Sequence, residues 1–330
     1  MKTRAQPDCI PIALMFLAVS AMAGEGSDPP APVVDESGME VVLVTGEQPG
    51  PSLWKVTSGD RVLWILGEVM PLPRHMKWRS KRFEQLLRKS QEVLIDDSDN
   101  VPAPANQREW LAVYDVGELP AGQTLQQLVS PAMYARAKAL QKKFRTKDID
   151  ALPPWAAKSR LYYSAVRAMG LVEFNASEAA EKLAKKSKVR ITTIAFKPTF
   201  AQYIGYLRTA PGDLCLSPVV DILEDGGSGI RRLANAWSIG DIDQLRQLVP
   251  AHAYVSESWR AGRLSVCQYG GPQRAEEYFA KRSTAWLQET ERVLRDNRST
   301  MAIMPMGWLV APDGYAAQLR ARGYEVAEPE

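Results

Sequence analysis

Histidine is nearly missing from this chain. Only His75 and His252 occur in 330 residues, and cysteine occurs three times, as Cys9, Cys215 and Cys267. Counts this low exclude zinc ribbons and Cys-rich scaffolds, which need several thiol or imidazole ligands or several bridges. Neither sign of charge dominates: Lys+Arg is 41 against 38 for Asp+Glu, which leaves +3. That balance supplies no basic field for nucleic acid. Past the N-terminal stretch no window approaches the roughly 18 consecutive apolar residues of a membrane helix. H-E-x-x-H, the Walker loop, G-x-S-x-G and the dinucleotide fingerprint are also absent. His75 sits in Pro-Arg-His and His252 in Pro-Ala-His. No nucleophile motif accompanies either one, so both read as surface residues rather than bases.

What is present describes a folded, exported chain. An apolar fraction of 45% with 24% charged residues argues against wholesale disorder. The length suits one large domain or two modest ones. Residues 1–23 read as a signal peptide. Lys2 and Arg4 form a basic start, Ile10 to Val19 an apolar stretch, and Ala21-Met22-Ala23 a small-residue cleavage site before Gly24. An uncleaved anchor is the alternative. Cleavage between Ala23 and Gly24 removes Lys2, Arg4 and Asp8, taking the charge from +3 to +2. It also removes Cys9, so Cys215 and Cys267 remain as a pair in an oxidising compartment, where a disulfide is the default. Residues 24–38, with Asp28-Pro29-Pro30-Ala31-Pro32, read as a disordered tether. Residues 39–330 then form the folded domain.

Within that domain, Val41 to Val44 reads as a strand. Leu53 to Val56 and Val62 to Leu66 read as a hairpin around Ser58-Gly59-Asp60. Ser80 is placed to cap a helix carrying Phe83, Leu86 and Leu87, and Val93-Leu94-Ile95 is a short buried strand ending in Asp96-Asp97. The middle is helical, with starts expected at Ser130-Pro131, Pro154, Ser177 and Ser217-Pro218 and a β-branched strand over Val189 to Ala195. Helices follow over 230–239, 241–248 and 276–295. A strand over Met301 to Met304, a helix over 312–322 and a last strand at Tyr324 to Val326 close the chain. The Lys182 to Arg190 run reads as a solvated helix face, and Asn175-Ala176-Ser177 matches a glycosylation acceptor. The fold class is α/β (α+β): a mixed central sheet from both chain ends, with a large helical insertion over about 100–300.

Two strand-to-loop transitions attract attention, because strand ends are where sites are built in such sheets. They are Leu66-Gly67-Glu68-Val69-Met70-Pro71 and Met304-Pro305-Met306-Gly307-Trp308-Leu309. Around them, Ser52 to Val56, Trp64 to Gly67, Leu72-Pro73, Trp78-Arg79-Ser80, Leu152 to Trp155, Ala236 to Leu245, Pro312-Asp313-Gly314 and Leu319 to Val326 form an ordered set. Together they resemble the TraB/GumN family, which includes the Tiki-type metal-dependent proteases, over roughly residues 50–328.

The resemblance implies a metal-dependent hydrolytic site whose parts this chain does not keep. The family's Gly-x-x-His places its histidine at Met70, and its second histidine falls at Trp308. The acidic residue after the early strand becomes Asp96, usually Glu, and the helical Arg-Asn becomes Arg282-Ser283 ahead of Trp286. Pro305 stands where the family has Gly, and Thr193 to Phe196 where it has an acidic residue. A thioether is a soft ligand for zinc and an indole offers no lone pair. Glu68, Asp96 and Asp97 are the acids nearby. The expectation is therefore a degenerate, non-catalytic member that binds or regulates in the cell envelope, in the periplasm or secreted, without a cofactor. Its partner would be an envelope protein or peptide, with no nucleic acid and no membrane span after cleavage. Met70 and Trp308 would fill the old site's volume, and Arg282 would either pair with Asp96 or Glu68 or bind substrate. The alternative is a hydrolase with a divalent metal held by Glu68 and Asp96, beside Arg282. On the first expectation no residue has a catalytic or metal-binding role.

Overall fold

Alternation in Leu53-Trp54-Lys55-Val56 sends Trp54 and Val56 to one side of a strand and Leu53 and Lys55 to the other. In the computed structural model Trp54 and Val56 are buried, while Leu53 and Lys55 are half-exposed. The structure describes residues 46–329 except Ser52, His75, 98–103, 173–175 and 252–265. The signal peptide, the Ala23/Gly24 cleavage site, the tether, the expected strand at 41–44, Asn175 and both histidines lie outside the described residues.

In chain order the strands are β1 (Gly46–Gln48), β2 (Leu53–Ser58), β3 (Arg61–Glu68), β4 (Leu72–Pro73), β5 (Met76–Trp78), β6 (Glu92–Asp96), β7 (Leu171–Val172), β8 (Arg190–Ile194), β9 (Ser299–Pro305) and β10 (Glu325–Ala327). The early and middle helices are α1 (Lys81–Lys89), α2 (Gln107–Gly117), α3 (Pro131–Lys143), α4 (Pro154–Ala168), α5 (Ala176–Ser187) and α6 (Phe200–Thr209). After them come α7 (Gly212–Leu223), α8 (Ser228–Ile239), α9 (Ile242–Ala251) and the short α10 (Val266–Tyr269). The long α11 (Pro272–Asp296), α12 (Met306–Val310) and α13 (Tyr315–Ala321) complete the set.

Six strands form the central sheet in the order β10-β2-β3-β9-β6-β8. β3, β9, β6 and β8 run parallel, and the β2–β3 hairpin and β10 make the antiparallel side. The strands from both chain ends are joined by β8 from the middle, as its β-branched residues foretell. Side-chain alternation divides the core in two. On one face Trp54, Val56, Leu63, Ile65 and Leu94 pack with Trp237, Trp286, Trp308, Tyr315 and Leu319. On the other, Leu66, Val93, Ile95, Met301 and Ile303 pack against Phe83 and Leu87 of α1 and Ala176, Ala180 and Ala184 of α5. Helices α3, α4 and α7 build a further core of their own, including Leu140, Leu161 and Leu216.

Two of the expected helix starts differ from the structure. Ser80 caps nothing with its side chain: its backbone is already helical, and its hydroxyl donates to Glu84 at 2.6 Å. Ser217-Pro218 does not open a helix, because α7 begins five residues earlier at Gly212 and carries the buried Pro218 inside. A proline costs a helix one backbone bond; burial of Leu216, Val219, Val220 and Leu223 outweighs that here. Ser130 does cap α3, accepting from the Met133 amide at 3.2 Å.

Candidate functional site

The C-terminal ends of β3, β9 and β6 lie side by side. Gly67 is in register with Met304, Glu68 with Pro305, and Ile303 with Ile95. The residues singled out from the sequence leave the sheet here, and α11 runs past them.

Gly67 is held from two sides. A Cβ on it would come within 2.7 Å of Met306 Sδ and Cε, so a larger residue there would require the Met306 side chain to shift. Its carbonyl accepts from the Trp237 indole N–H at 2.7 Å. Met306 and Trp237 therefore press on the end of β3, a role the sequence reading gave to neither.

Glu68 points to the first turn of α5. Its carboxylate accepts from the Ser177 amide at 3.2 Å and from the Ser177 hydroxyl at 3.1 Å. A helix N-terminus offers unpaired amides and a favourable dipole, so an anion is stabilised there. Ser177 is thus a buried anchor for Glu68. Its surroundings in sequence, a polar residue opening a helix, were the signal available. Met70 follows two residues later, half-buried, ahead of a cis bond to Pro71.

Asp96 lies at the end of β6. Its Oδ2 accepts from Arg282 Nε at 2.8 Å and from Trp286 Nε1 at 2.6 Å. The Arg282 and Asp96 side chains are 4% and 3% exposed. Of the two roles open to Arg282, the ion pair with Asp96 is the contact made. Each ion is desolvated, and each compensates the other. The neighbouring Asp97 receives Lys197 Nζ at 2.6 Å.

Trp308 opens onto none of this as a ligand. It is fully buried, with ring centroids 4.9 Å from Tyr315, 5.9 Å from Trp286 and 6.0 Å from Phe279. Its Nε1 is buried and meets no hydrogen-bond acceptor among the described residues. The structure thus links Asp96, Arg282, Trp286 and Trp308 in one contact chain. It places Glu68 on β3, with β9 between it and Asp96 on β6, and hydrogen-bonded to Ser177 of α5.

A divalent ion needs about three protein donors and an open position. Among the described residues no three His, Cys, Asp or Glu side chains gather to hold one. Asp96 is engaged by Arg282 and Trp286, and Glu68 by Ser177. The donors among the described residues do not fit such an ion.

Two further placements bear on function. Cys215 of α7 and Cys267 of α10 are at bonding distance, with Cα atoms 5.5 Å apart, inside a buried cluster with Phe200 and Tyr203. Among the described residues no helix is long and apolar enough to cross a membrane.

No curated protein and no solved structure matches the chain significantly. The model of the TraB/PrgY/gumN family matches residues 52–328, from the start of β2 to just past β10. The chain belongs to the TraB/PrgY/gumN family.

Proposed function

We propose that this is an exported member of the family that binds or regulates in the cell envelope and does not hydrolyse. One observation carries the reading. Met70 and Trp308 stand at the two expected histidine positions, and Trp308 is sealed among Trp286, Tyr315 and Phe279 while Arg282 and Trp286 hold Asp96. An aromatic plug with a mutually satisfied ion pair beneath it stabilises a fold. It offers neither an imidazole ligand nor a poised base. Export is supported by the basic and apolar N-terminal pattern and by the bonded Cys215–Cys267 pair, which suits an oxidising compartment.

Metal analysis of the purified full chain tests the reading. No stoichiometric Mn²⁺, Co²⁺ or Zn²⁺ is expected after dialysis. Tightly held metal that is lost on Glu68→Ala would overturn it, in favour of a rewired hydrolytic site using Glu68, Asp96 and Arg282. The partner, an envelope protein or peptide, is sought by crosslinking in intact cells and co-purification.

A further inference from the structure

A second concave region of the fold lies apart from the strand-end residues. It is a groove of about 660 Å³ over the outer face of the β2–β3 hairpin, walled by α1 and by the chain before β2 and after β10. That volume lies within the usual range for small-molecule sites.

The floor is Trp64, with Lys55 directly across the strand pair. Lys55 Nζ lies 5.9 Å from the Trp64 ring centroid, and the Arg82 guanidinium lies 6.0 Å from it. Two cations thus flank one half-buried indole. Neither has a carboxylate within ion-pair distance among the described residues. A third cation, Arg79, meets Glu47 at 3.3 Å, but both side chains are 67% exposed, so that pair contributes little. Among the described residues the one acid lining the groove, Glu328, is engaged by Arg246 and Arg320, which lie outside it.

The second indole, Trp78, is fixed rather than loose. Its ring packs against Phe83 at 5.6 Å and Trp237 at 6.0 Å. Gly50 sits so close that a Cβ there would come 2.7 Å from Trp78 Cε3. The Gly50 amide is in turn bonded to the Ser238 carbonyl at 3.0 Å. Rigid aromatic faces lose little entropy when a ring stacks on them.

We propose that this groove binds an anionic saccharide. Its ring would lie on Trp64 and its carboxylate or phosphate would meet Arg82 and Lys55. Half-buried indoles suit the apolar face of a sugar ring, and unpaired cations beside them suit one anionic group. An extended acidic peptide fits less well, because the floor is a sheet face whose backbone is already paired along β2 and β3.

Isothermal titration calorimetry of the full chain with four probes tests the proposal. Digalacturonate, glucose phosphate or both should saturate, the first identifying a sugar acid and the second a phosphosugar. Cellobiose, which is neutral, should bind at least about tenfold more weakly, the equivalent of one charge-assisted hydrogen bond. Arg82→Gln, on an exposed helix position, should weaken the anionic probe by a similar factor with unchanged melting. Lys55→Gln serves as the independent second variant. The proposal is overturned if cellobiose or tetraglutamate binds as tightly as the anionic sugars. It is equally overturned if both variants bind like the parent chain, or if neither anionic sugar saturates.

Discussion

Trp308 brings an indole N–H into a cluster of Phe279, Trp286 and Tyr315 where no acceptor receives it among the described residues. An unpaired buried donor costs about 1–3 kcal/mol. The ring itself stabilises by filling space that a smaller residue would leave empty. Trp308→Phe removes the donor and keeps a ring, so urea denaturation should find it within about 1 kcal/mol of the parent chain. Trp308→Ala should cost about 3–5 kcal/mol. Asp96 and Arg282 depend on each other in the same place. Arg282→Met leaves a buried carboxylate with only the Trp286 donor among the contacts described above, and should cost about 3–5 kcal/mol; adding Asp96→Asn should recover much of that loss. If the double variant is no more stable than Arg282→Met alone, the ion pair is not what matters there. Asp96, Arg282 and Trp308 were singled out because each falls at a position the resemblance marks, and Glu68 because it is an acid beside them. Ser177 was not, because it meets Glu68 across 109 residues of chain.

The β6 strand begins with a charge where an apolar residue would be expected. Glu92 is 1% exposed in its side chain and receives Arg292, Thr192, Asn297 and Arg190. It lies at the N-terminal end of the parallel strands, opposite the candidate site. Burial alone would raise its pKa, but the hydrogen bonds of Arg292, Thr192, Asn297 and Arg190 outweigh it and hold the group at about 2, against 4.5 ordinarily. A depressed folded-state value stabilises above the unfolded value. Glu92 should therefore contribute on the order of 3 kcal/mol above pH about 4.5, lost progressively as pH falls towards about 2. Glu92→Gln should flatten that part of the stability–pH curve; an unchanged acid limb would refute the assignment. Four elements thus meet at one carboxylate: β6, β8, α11 and the turn before β9. Local pattern predicted the strand but placed it over 93–95, one residue short of Glu92, since a charged residue reads as a boundary when its partners are unknown. Pro218 misled in the same way, because proline is a boundary signal that buried packing in α7 overrides.

Across the molecule, the Cys215–Cys267 bridge joins α7 to α10 over a separation of 52 residues. Closing a loop of that size stabilises by about 4 kcal/mol in the chain-entropy view. Denaturation with and without reductant should differ by roughly that amount, about 2–5 kcal/mol. Thiol titration of the unreduced, denatured protein should find neither of these two cysteines; two free thiols would refute the bridge. Composition and periodicity by themselves determined the class of fold, the hairpin and the cysteine pair, and the structure added that β3, β9, β6 and β8 run parallel. The first three follow from short-range rules: alternation, turn residues, caps and compartment chemistry. The sequence also has Met70 and Trp308 at the positions where the family resemblance implies histidine. The tertiary structure decided what stands in its place. Long-range packing set Met306 and Trp237 against Gly67, Ser177 against Glu68, and Arg282 with Trp286 onto Asp96. These pairs are separated by roughly 110 to 240 positions in the chain, so no local period encodes them. Only the closing of the sheet, which brings the ends of β3, β9 and β6 together, makes them neighbours.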